Sequence, residues 1–205
     1  MSIFSTIANS VVKLIGNINW KLTNPVTDAE QQHIRELLTA DYYIVLTRNN
    51  NHLSSYAISF ANFVLTGKFS YWGHALMNFE DVVTTDADFR LMQATGAGVA
   101  YATFDEVFTT NSVVLLRPKN MPISSWTKVL DTAKTELGKP YDTLYDLSND
   151  SALSCVELVR DSLRADPEYI SNFANFEKLI SDSKNLTPQM FYNCADFEVA
   201  YEIRH

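Results

Sequence analysis

The sequence predicts an α+β fold in which an antiparallel sheet packs against helices. Four short runs rich in β-branched and aromatic residues follow one another within residues 72–118, with little but turn material between them. Stretches with apolar residues at helical spacing lie before and after that region. With 205 residues and 46% hydrophobic content, the chain is long enough to bury one substantial core.

Two helices are predicted in the first 40 residues. Thr27 and Glu30 form a capping box that opens a helix through about Leu38. The stretch before it carries an apolar stripe at helical spacing, which indicates a helix that docks on the domain, on another subunit or on a membrane surface. The residues of this stripe are Ile3, Phe4, Ile7, Ala8, Val11, Val12, Leu14 and Ile15.

The central region predicts most of the sheet. A strand is expected at residues 42–47, followed by the polar turn RNNN and a helix at residues 52–65 that stops at Gly67. Four strand-like runs come next, separated by turns such as TTDAD and TGAG, and they predict an antiparallel meander. The runs are WGHALMNF, FRLMQAT, GVAYATF and NSVVLLRP.

The C-terminal part predicts helices and one closing strand. A helix at residues 122–137 ends before Gly138, and its packed side is formed by Ile123, Trp126, Val129, Leu130, Ala133 and Leu137. Further helices are expected at residues 154–163, with a stripe of Val156, Val159 and Leu163, at residues 167–180, and from Thr187 and Pro188 onward. DFEVAYEI is the closing strand.

Composition narrows the functional classes. The formal charge of −8 argues against binding nucleic acid or anionic membranes through bulk electrostatics. Cys155 and Cys194 are too few for a disulfide framework, and free thiols are expected, with a single disulfide as the alternative. No metal-ligand spacing and neither GxxxxGK nor GxGxxG occurs, so we expect no metal and no cofactor.

Cys155 is the candidate nucleophile. It stands at the predicted start of a helix, directly after a loop, where unsatisfied backbone N–H groups and the helix dipole favour a thiolate. The alternative is the common one for a lone cysteine, a small buried hydrophobe.

His74 is the candidate general base. His33 lies in a polar helical pattern, His52 in a turn and His205 at the extreme end, whereas His74 begins a strand in the middle of the predicted sheet. A rigid strand would hold its imidazole in place. The alternative is a histidine bonded to the backbone at a strand edge.

Strand geometry proposes Gln93 as the group that orients the imidazole. A hairpin register with Asn78 opposite Phe89 places His74 opposite Gln93, with Cβ atoms roughly 5 Å apart. The side-chain oxygen of Gln93 could then accept a hydrogen bond from the ring. A slip in register would change the partner.

These residues resemble a known family. The order of His74, then GKPYD, then LSCVELV is similar to that of the circularly permuted relatives of NlpC-type peptidoglycan endopeptidases, the YiiX group of papain-like amidases. The resemblance covers about residues 40–203, through LMQATGAGVAYATFDEVF to LTPQMFYNCADFEVAYEI. It implies a permuted papain-like hydrolase domain at residues 40–205, preceded by a helical extension at residues 1–39.

The resemblance also implies roles for residues. Cys155 matches the nucleophile, His74 the base and Gln93 the third position, which is often acidic in the YiiX group. The chain departs from the family there, and again at Tyr42 and Tyr43, where the family usually has a Gly-Asp pair. An amide can still orient the ring, although it stabilises an imidazolium less than a carboxylate does.

The expected chemistry is acyl transfer through a thioester, with the Cys155 backbone N–H as first oxyanion donor. Tyr141 is a weaker second candidate, since its ring could equally be packed, and Asp142 is expected to form a turn. By resemblance the leading substrates are the stem peptides of peptidoglycan. The alternatives are lipid acyl groups, because lecithin retinol acyltransferase relatives share the permuted arrangement, or an inactive structural component, for example of a phage particle.

The location of the protein stays open at this stage. The opening stretch has no basic n-region and does not reach the roughly 18 apolar residues of a membrane span, so neither a secretory signal nor a transmembrane segment is expected. We therefore expect a cytoplasmic protein, or one delivered by a phage particle or another non-classical route.

Overall fold

The computed structural model describes residues 24–49, 69–78, 90–142, 150–182 and 186–205. Six strands are seen in these ranges: β1 (Ile44–Arg48), β2 (His74–Asn78), β3 (Leu91–Thr95), β4 (Gly98–Ala102), β5 (Ser112–Pro118) and β6 (Phe197–Arg204). The helices seen there are α1 (Asp28–Ala40), α2 (Phe104–Phe108), α3 (Ile123–Thr135), α4 (Cys155–Leu163), α5 (Pro167–Ile170), α6 (Ala174–Asp182) and α7 (Pro188–Asn193). The fold is therefore α+β, as predicted.

The strands form one antiparallel sheet with the order β4-β3-β2-β1-β5-β6. The first four strands are a meander, but the prediction that the fourth run, β5, continues it is wrong. β5 pairs with β1 on the other side of the sheet. All of its first five residues are buried, and such a strand needs a central position with cover on both faces, which the edge beside β4 would not provide.

Helices cover both faces of the sheet. On one face, Ile44 and Leu46 of β1 belong to the larger core cluster, with apolar side chains of α3, α4, α6 and α7. On the other, Val45 packs with Ile34 and Leu38 of α1 and with residues of α2. The strict alternation of faces along β1 follows from the two-residue period of a strand. The predicted boundary between residues 39 and 40 stays a prediction.

Several predicted helices are confirmed. The Thr27 capping box opens α1, Ser154 precedes α4, and Thr187 precedes α7. The capping-box hydrogen bonds of Thr27 and Glu30 satisfy N–H groups that have no partner inside the helix. The closing strand and the buried stripe of Val156, Val159 and Leu163 are confirmed too.

Two helix predictions need correction. Ile123 and Leu137, expected on the packed side, are 57% and 39% exposed, because they lie at the first residue of α3 and beyond its last. The helix predicted at residues 167–180 is two helices, α5 and α6. Asp196 accepts a hydrogen bond of 2.7 Å from the backbone N–H of Phe176, and this remote carboxylate supports a new helix start that the local sequence does not reveal.

Some predictions fall on residues that the structure does not describe. The N-terminal apolar helix, the helix at residues 52–65, the second half of the RNNN turn and the segment that joins β2 to β3 lie outside the described residues. The first residue of that predicted turn, Arg48, is the last residue of β1. In the described part, no helix combines the length and apolar character needed to cross a membrane.

Candidate active site

Cys155 is the first residue of α4 and is 4% exposed. Ser154 precedes it as the N-cap and forms a capping box with Glu157, whose carboxylate accepts a 2.8 Å hydrogen bond from the Ser154 backbone N–H. In return, the Ser154 hydroxyl accepts from the backbone N–H of Glu157 at 3.4 Å. The backbone on both sides of the thiol is therefore held by side-chain hydrogen bonds.

α4 packs against β2 and β3, and this packing brings Cys155 to the start of β2. His74 is the first residue of that strand, and the backbone N–H of Gly73 donates to Thr47 of β1 at 3.0 Å. The His74 side chain and the backbone N–H groups of Ala75 and Val156 lie close enough to the Cys155 sulfur to lower the pKa of the thiol. The start of β2 and the start of α4 thus meet at the Cys155 thiol.

Gln93 is the third member of this group. Its Oε1 lies 2.9 Å from His74 Nε2, so Nδ1 is the ring nitrogen that Gln93 does not contact. The predicted register is nevertheless wrong. The ladder pairs Met77 with Met92 and Asn78 with Leu91, a shift of two residues. Such a shift keeps every side chain on its own face, so the alternation of apolar residues could not distinguish the two registers.

The electrostatics of the pair favour opposite charges. Burial alone would raise the pKa of the Cys155 thiol, but the charge of His74, the hydrogen bond to it and two backbone N–H groups outweigh burial and lower that pKa. For His74, burial acts to lower the pKa, and the interactions with Cys155 and Gln93 raise it above its ordinary value. The arrangement therefore supports a thiolate beside an imidazolium.

Cys194 provides the contrast within the same chain. It is a buried free thiol at the C-terminal end of α7, and burial raises its pKa. It has the properties of a structural cysteine. In addition, no disulfide joins Cys155 and Cys194 in the structure, in agreement with the expectation of free thiols.

The segment before Cys155 is anchored to β4. Lys139 O accepts from the Val99 N–H at 2.9 Å, the Gly138 N–H donates to Val99 O at 2.9 Å, and Pro140 O accepts from the Leu153 N–H at 3.0 Å. These bonds join the GKPYD stretch to the sheet on one side and to the residues just before α4 on the other.

Tyr141 and Asp142 complete this anchored segment. Tyr141 is half-buried against the larger core cluster, and its contribution to an oxyanion site stays a prediction. Asp142 is 3% exposed. The pKa of Glu157 is raised, mainly because Glu157 is buried, and the charge of Asp142 raises it too. Asp142 is thus a buried neighbour of α4. The prediction that it forms a turn did not indicate this burial.

Sequence reasoning missed three contributors to the site. The backbone N–H groups of Ala75 and Val156 carry no side-chain signal, so their hydrogen bonds to the thiol could not be predicted. Glu157 could have been found, because Ser154 and Glu157 have the S-x-x-E spacing of a capping box.

A helix-borne cysteine that meets a strand-borne histidine in an α+β fold is the layout of a papain-like hydrolase. The comparison with family models agrees: the model described as "Permuted papain-like amidase enzyme, YaeF/YiiX, C92 family" matches residues 43–200. The chain belongs to this family. The resemblance that the sequence motifs indicated is thereby confirmed.

A solved structure supports the same fold. The crystal structure of the metalloprotein YiiX from Escherichia coli O157:H7 aligns with a TM-score of 0.58 and 16% identity, covering 82% of this chain and 99% of that one. No match was found among curated proteins. Within the described residues, no three His, Cys, Asp or Glu side chains cluster as metal ligands would.

Proposed function

We propose that this protein is a cysteine hydrolase that cleaves an amide bond through a thioester intermediate, with Cys155 as nucleophile and His74 as base. The observation that carries the proposal is the packing of α4, which begins with Cys155, against β2, which begins with His74, with Gln93 Oε1 2.9 Å from His74 Nε2. The interaction between the two side chains lowers the pKa of the thiol and raises that of the imidazole. Membership of an amidase family supports an amide as the bond that is cleaved.

In the proposed reaction, the Cys155 proton moves to His74 and the thiolate adds to the substrate carbonyl carbon. The C–N bond then breaks, and the amine leaves with the proton that His74 donates. His74 then takes a proton from water, and the water oxygen attacks the thioester carbonyl carbon. The C–S bond breaks, the carboxylic acid is released, and His74 returns the proton to the sulfur. Every proton that moves passes through one imidazole, so its orientation matters at each step.

Gln93 is proposed to provide that orientation. Its Oε1 accepts from Nε2–H, which selects the tautomer that keeps Nδ1 for the thiol. The backbone N–H of Cys155 is the proposed first oxyanion donor. It lies in the first turn of α4, where backbone N–H groups have no acceptor within the helix.

The test of the pair is the reactivity of the native protein with iodoacetamide near pH 6. Cys155 should be alkylated much faster than Cys194, and His74→Ala should remove most of the difference. Mass spectrometry of proteolytic fragments separates the two thiols. Equal reactivity of Cys155 and Cys194, unchanged by His74→Ala, would support an inactive structural component instead.

The proposed substrates are the stem peptides of peptidoglycan, on the strength of the resemblance to NlpC-type relatives. Incubation with muropeptides should release fragments cut at an amide bond, and Cys155→Ala should abolish their release. Phospholipid vesicles serve as the parallel incubation. Release of acyl chains from the vesicles with intact muropeptides would assign the enzyme to lipid chemistry.

A further inference from the structure

The two arginines Arg48 and Arg204 lie at the same end of the sheet as the Cys155–His74 pair. β1 ends and β2 begins there, with Thr47 opposite His74. In the next row, Arg48 of β1 pairs with Ser112 of β5, and Ser112 pairs with Arg204 of β6. We call this edge the catalytic end of the sheet. Two cationic side chains therefore start from one row, adjacent to the row that holds the base.

Both arginines converge on the ring of Tyr71, three residues before His74. The guanidinium carbon of Arg48 lies 4.4 Å from the ring centroid, and that of Arg204 lies 4.9 Å from it. Two like charges this close repel each other, and the electron-rich face of the ring offsets part of that cost. The two guanidinium groups thus share one aromatic ring in a chain of net charge −8.

Tyr71 is held firmly in place. Its backbone N–H donates to Gln189 Oε1 at 2.9 Å, its hydroxyl lies 2.8 Å from Ser112 Oγ, and its carbonyl accepts from Arg48 Nη1 at 3.3 Å. The phenol ring is consequently a fixed platform, and the guanidinium groups over it are restrained before any ligand arrives. Such preorganisation favours binding, because less side-chain entropy is lost.

The cluster already binds one carboxylate, that of Glu202. Glu202 accepts from Arg204 Nε and, at 3.2 Å, from the Tyr192 hydroxyl, which in turn accepts from Arg204 Nη2 at 2.8 Å. Among the described residues, these contacts use two of the five N–H donors of Arg204. Its side chain is 45% exposed, so the remaining donors can face solvent and a ligand.

We propose that Arg48 and Arg204, placed over Tyr71, form an anion subsite that binds a carboxylate of the substrate beside the amide to be cleaved. Guanidinium groups can pair with carboxylates through two parallel hydrogen bonds, and Arg204 already donates from Nε to the Glu202 carboxylate in the same cluster. The inference rests on the proposed function and narrows it: the preferred substrates are peptides with a free carboxylate at a fixed distance from the scissile bond.

The test uses alkylating reagents that carry the carboxylate at known distances from the reactive carbon. Iodoacetyl-glycine, iodoacetyl-diglycine and iodoacetyl-triglycine are compared, each as the free acid and as the carboxamide. The measured quantity is the ratio of the Cys155 alkylation rate by the acid to that by the amide. Dividing by the amide rate removes any change in the thiol itself.

In the wild-type protein the ratio should exceed one and reach about tenfold at the best length, the gain expected for a charge-assisted hydrogen bond. The negative net charge of the chain would lower the ratio, because it repels the acids. The double variant Arg48→Gln/Arg204→Gln should bring the ratio to about one. Arg117→Gln/Arg164→Gln is the charge-matched control, because it also removes two positive charges, from arginines that pair with Asp41 and with Glu177, and it should keep the wild-type ratio.

A ratio near one at every length in the wild-type protein, or a preference that survives in the double variant, would overturn the anion subsite. Faster alkylation by iodoacetyl-phosphoethanolamine than by any of the acids would also overturn the carboxylate assignment, in favour of a phosphate. A different result would contradict the proposed function: carboxamides that alkylate Cys155 no faster than Cys194. An acid preference that disappears in the double variant would still support the subsite.

Discussion

Gln93 Oε1 lies 2.9 Å from His74 Nε2, although the two residues are not direct cross-strand partners. The register of β2 and β3 is shifted by two residues from the one that would place them opposite each other. The Gln93 side chain therefore reaches the imidazole along a diagonal. Diagonal neighbours on one face of a sheet are within reach of long side chains. A shorter amide at this position would not span the same gap, so the length of the glutamine is part of how the ring is held.

Replacing Gln93 should expose its positioning role. In Gln93→Ala, we expect Cys155 alkylation by iodoacetamide near pH 6 to slow about tenfold, because the imidazolium loses a charge-assisted hydrogen bond. Gln93→Glu should instead raise the pKa of His74 further, because a carboxylate stabilises the imidazolium more. Gln32→Ala, which removes an exposed contact to Glu36, is the control. Wild-type rates and pH profile in both Gln93 variants would contradict this role.

The pH dependence of alkylation should follow the paired charges. The pKa of Cys155 is lowered from an ordinary value of 9.0, so the wild-type rate should already be high well below pH 9 and fall only as pH drops through the lowered pKa. In His74→Ala, burial becomes the dominant influence, and it raises the pKa of the thiol. The rise in rate should then move above pH 9. A profile unaffected by His74→Ala would contradict the thiolate–imidazolium pair.

Glu157→Ala should loosen the start of the nucleophile helix. The loss of the capping box leaves the Ser154 N–H without its acceptor in a buried place, and we expect a cost of about 2 kcal/mol in the free energy of unfolding. Cys155 alkylation should slow as well, because the thiol follows that turn. Urea unfolding and alkylation rates measure the two effects.

The chain contains a matched control for this substitution. Glu106 forms the same capping box with Thr103 at the start of α2, where the hydrogen bonds are exposed to solvent. Glu106→Ala should cost less, about 1 kcal/mol, and leave Cys155 alkylation at the wild-type rate. Equal effects of the two substitutions on the thiol would show that Glu157 has no positioning role.

Gly98→Ala should destabilise the contact between β4 and the loop before the nucleophile. Gly98 has φ +103°, and a Cβ there would lie 2.6 Å from Lys139 O, in the segment that anchors the loop. We expect a loss of about 1–3 kcal/mol in the free energy of unfolding, measured in urea. Gly96→Ala is the matched control in the same turn, since a Cβ at Gly96 meets nothing within 4 Å. Equal stability of the two variants would contradict this strain.

Much of the local structure was predictable because its causes are local. The Thr27 capping box predicts the start of α1, and the alternation of apolar and polar residues predicts strands. The placement of β5 beside β1 was not predictable, because it depends on which position buries both faces of a strand. Likewise, the break between α5 and α6 depends on Asp196, about 20 residues further along the chain.

The sequence by itself determined which residues could do the chemistry: a cysteine at a helix start, a histidine at a strand start and a glutamine on the next strand. Only the tertiary structure decided how they meet, with a register shifted by two, backbone N–H groups of Ala75 and Val156 at the thiol, and Tyr71 between two arginines. The reason is physical. Helix caps and strand alternation act over a few residues, whereas register and side-chain convergence depend on packing between elements far apart in the chain.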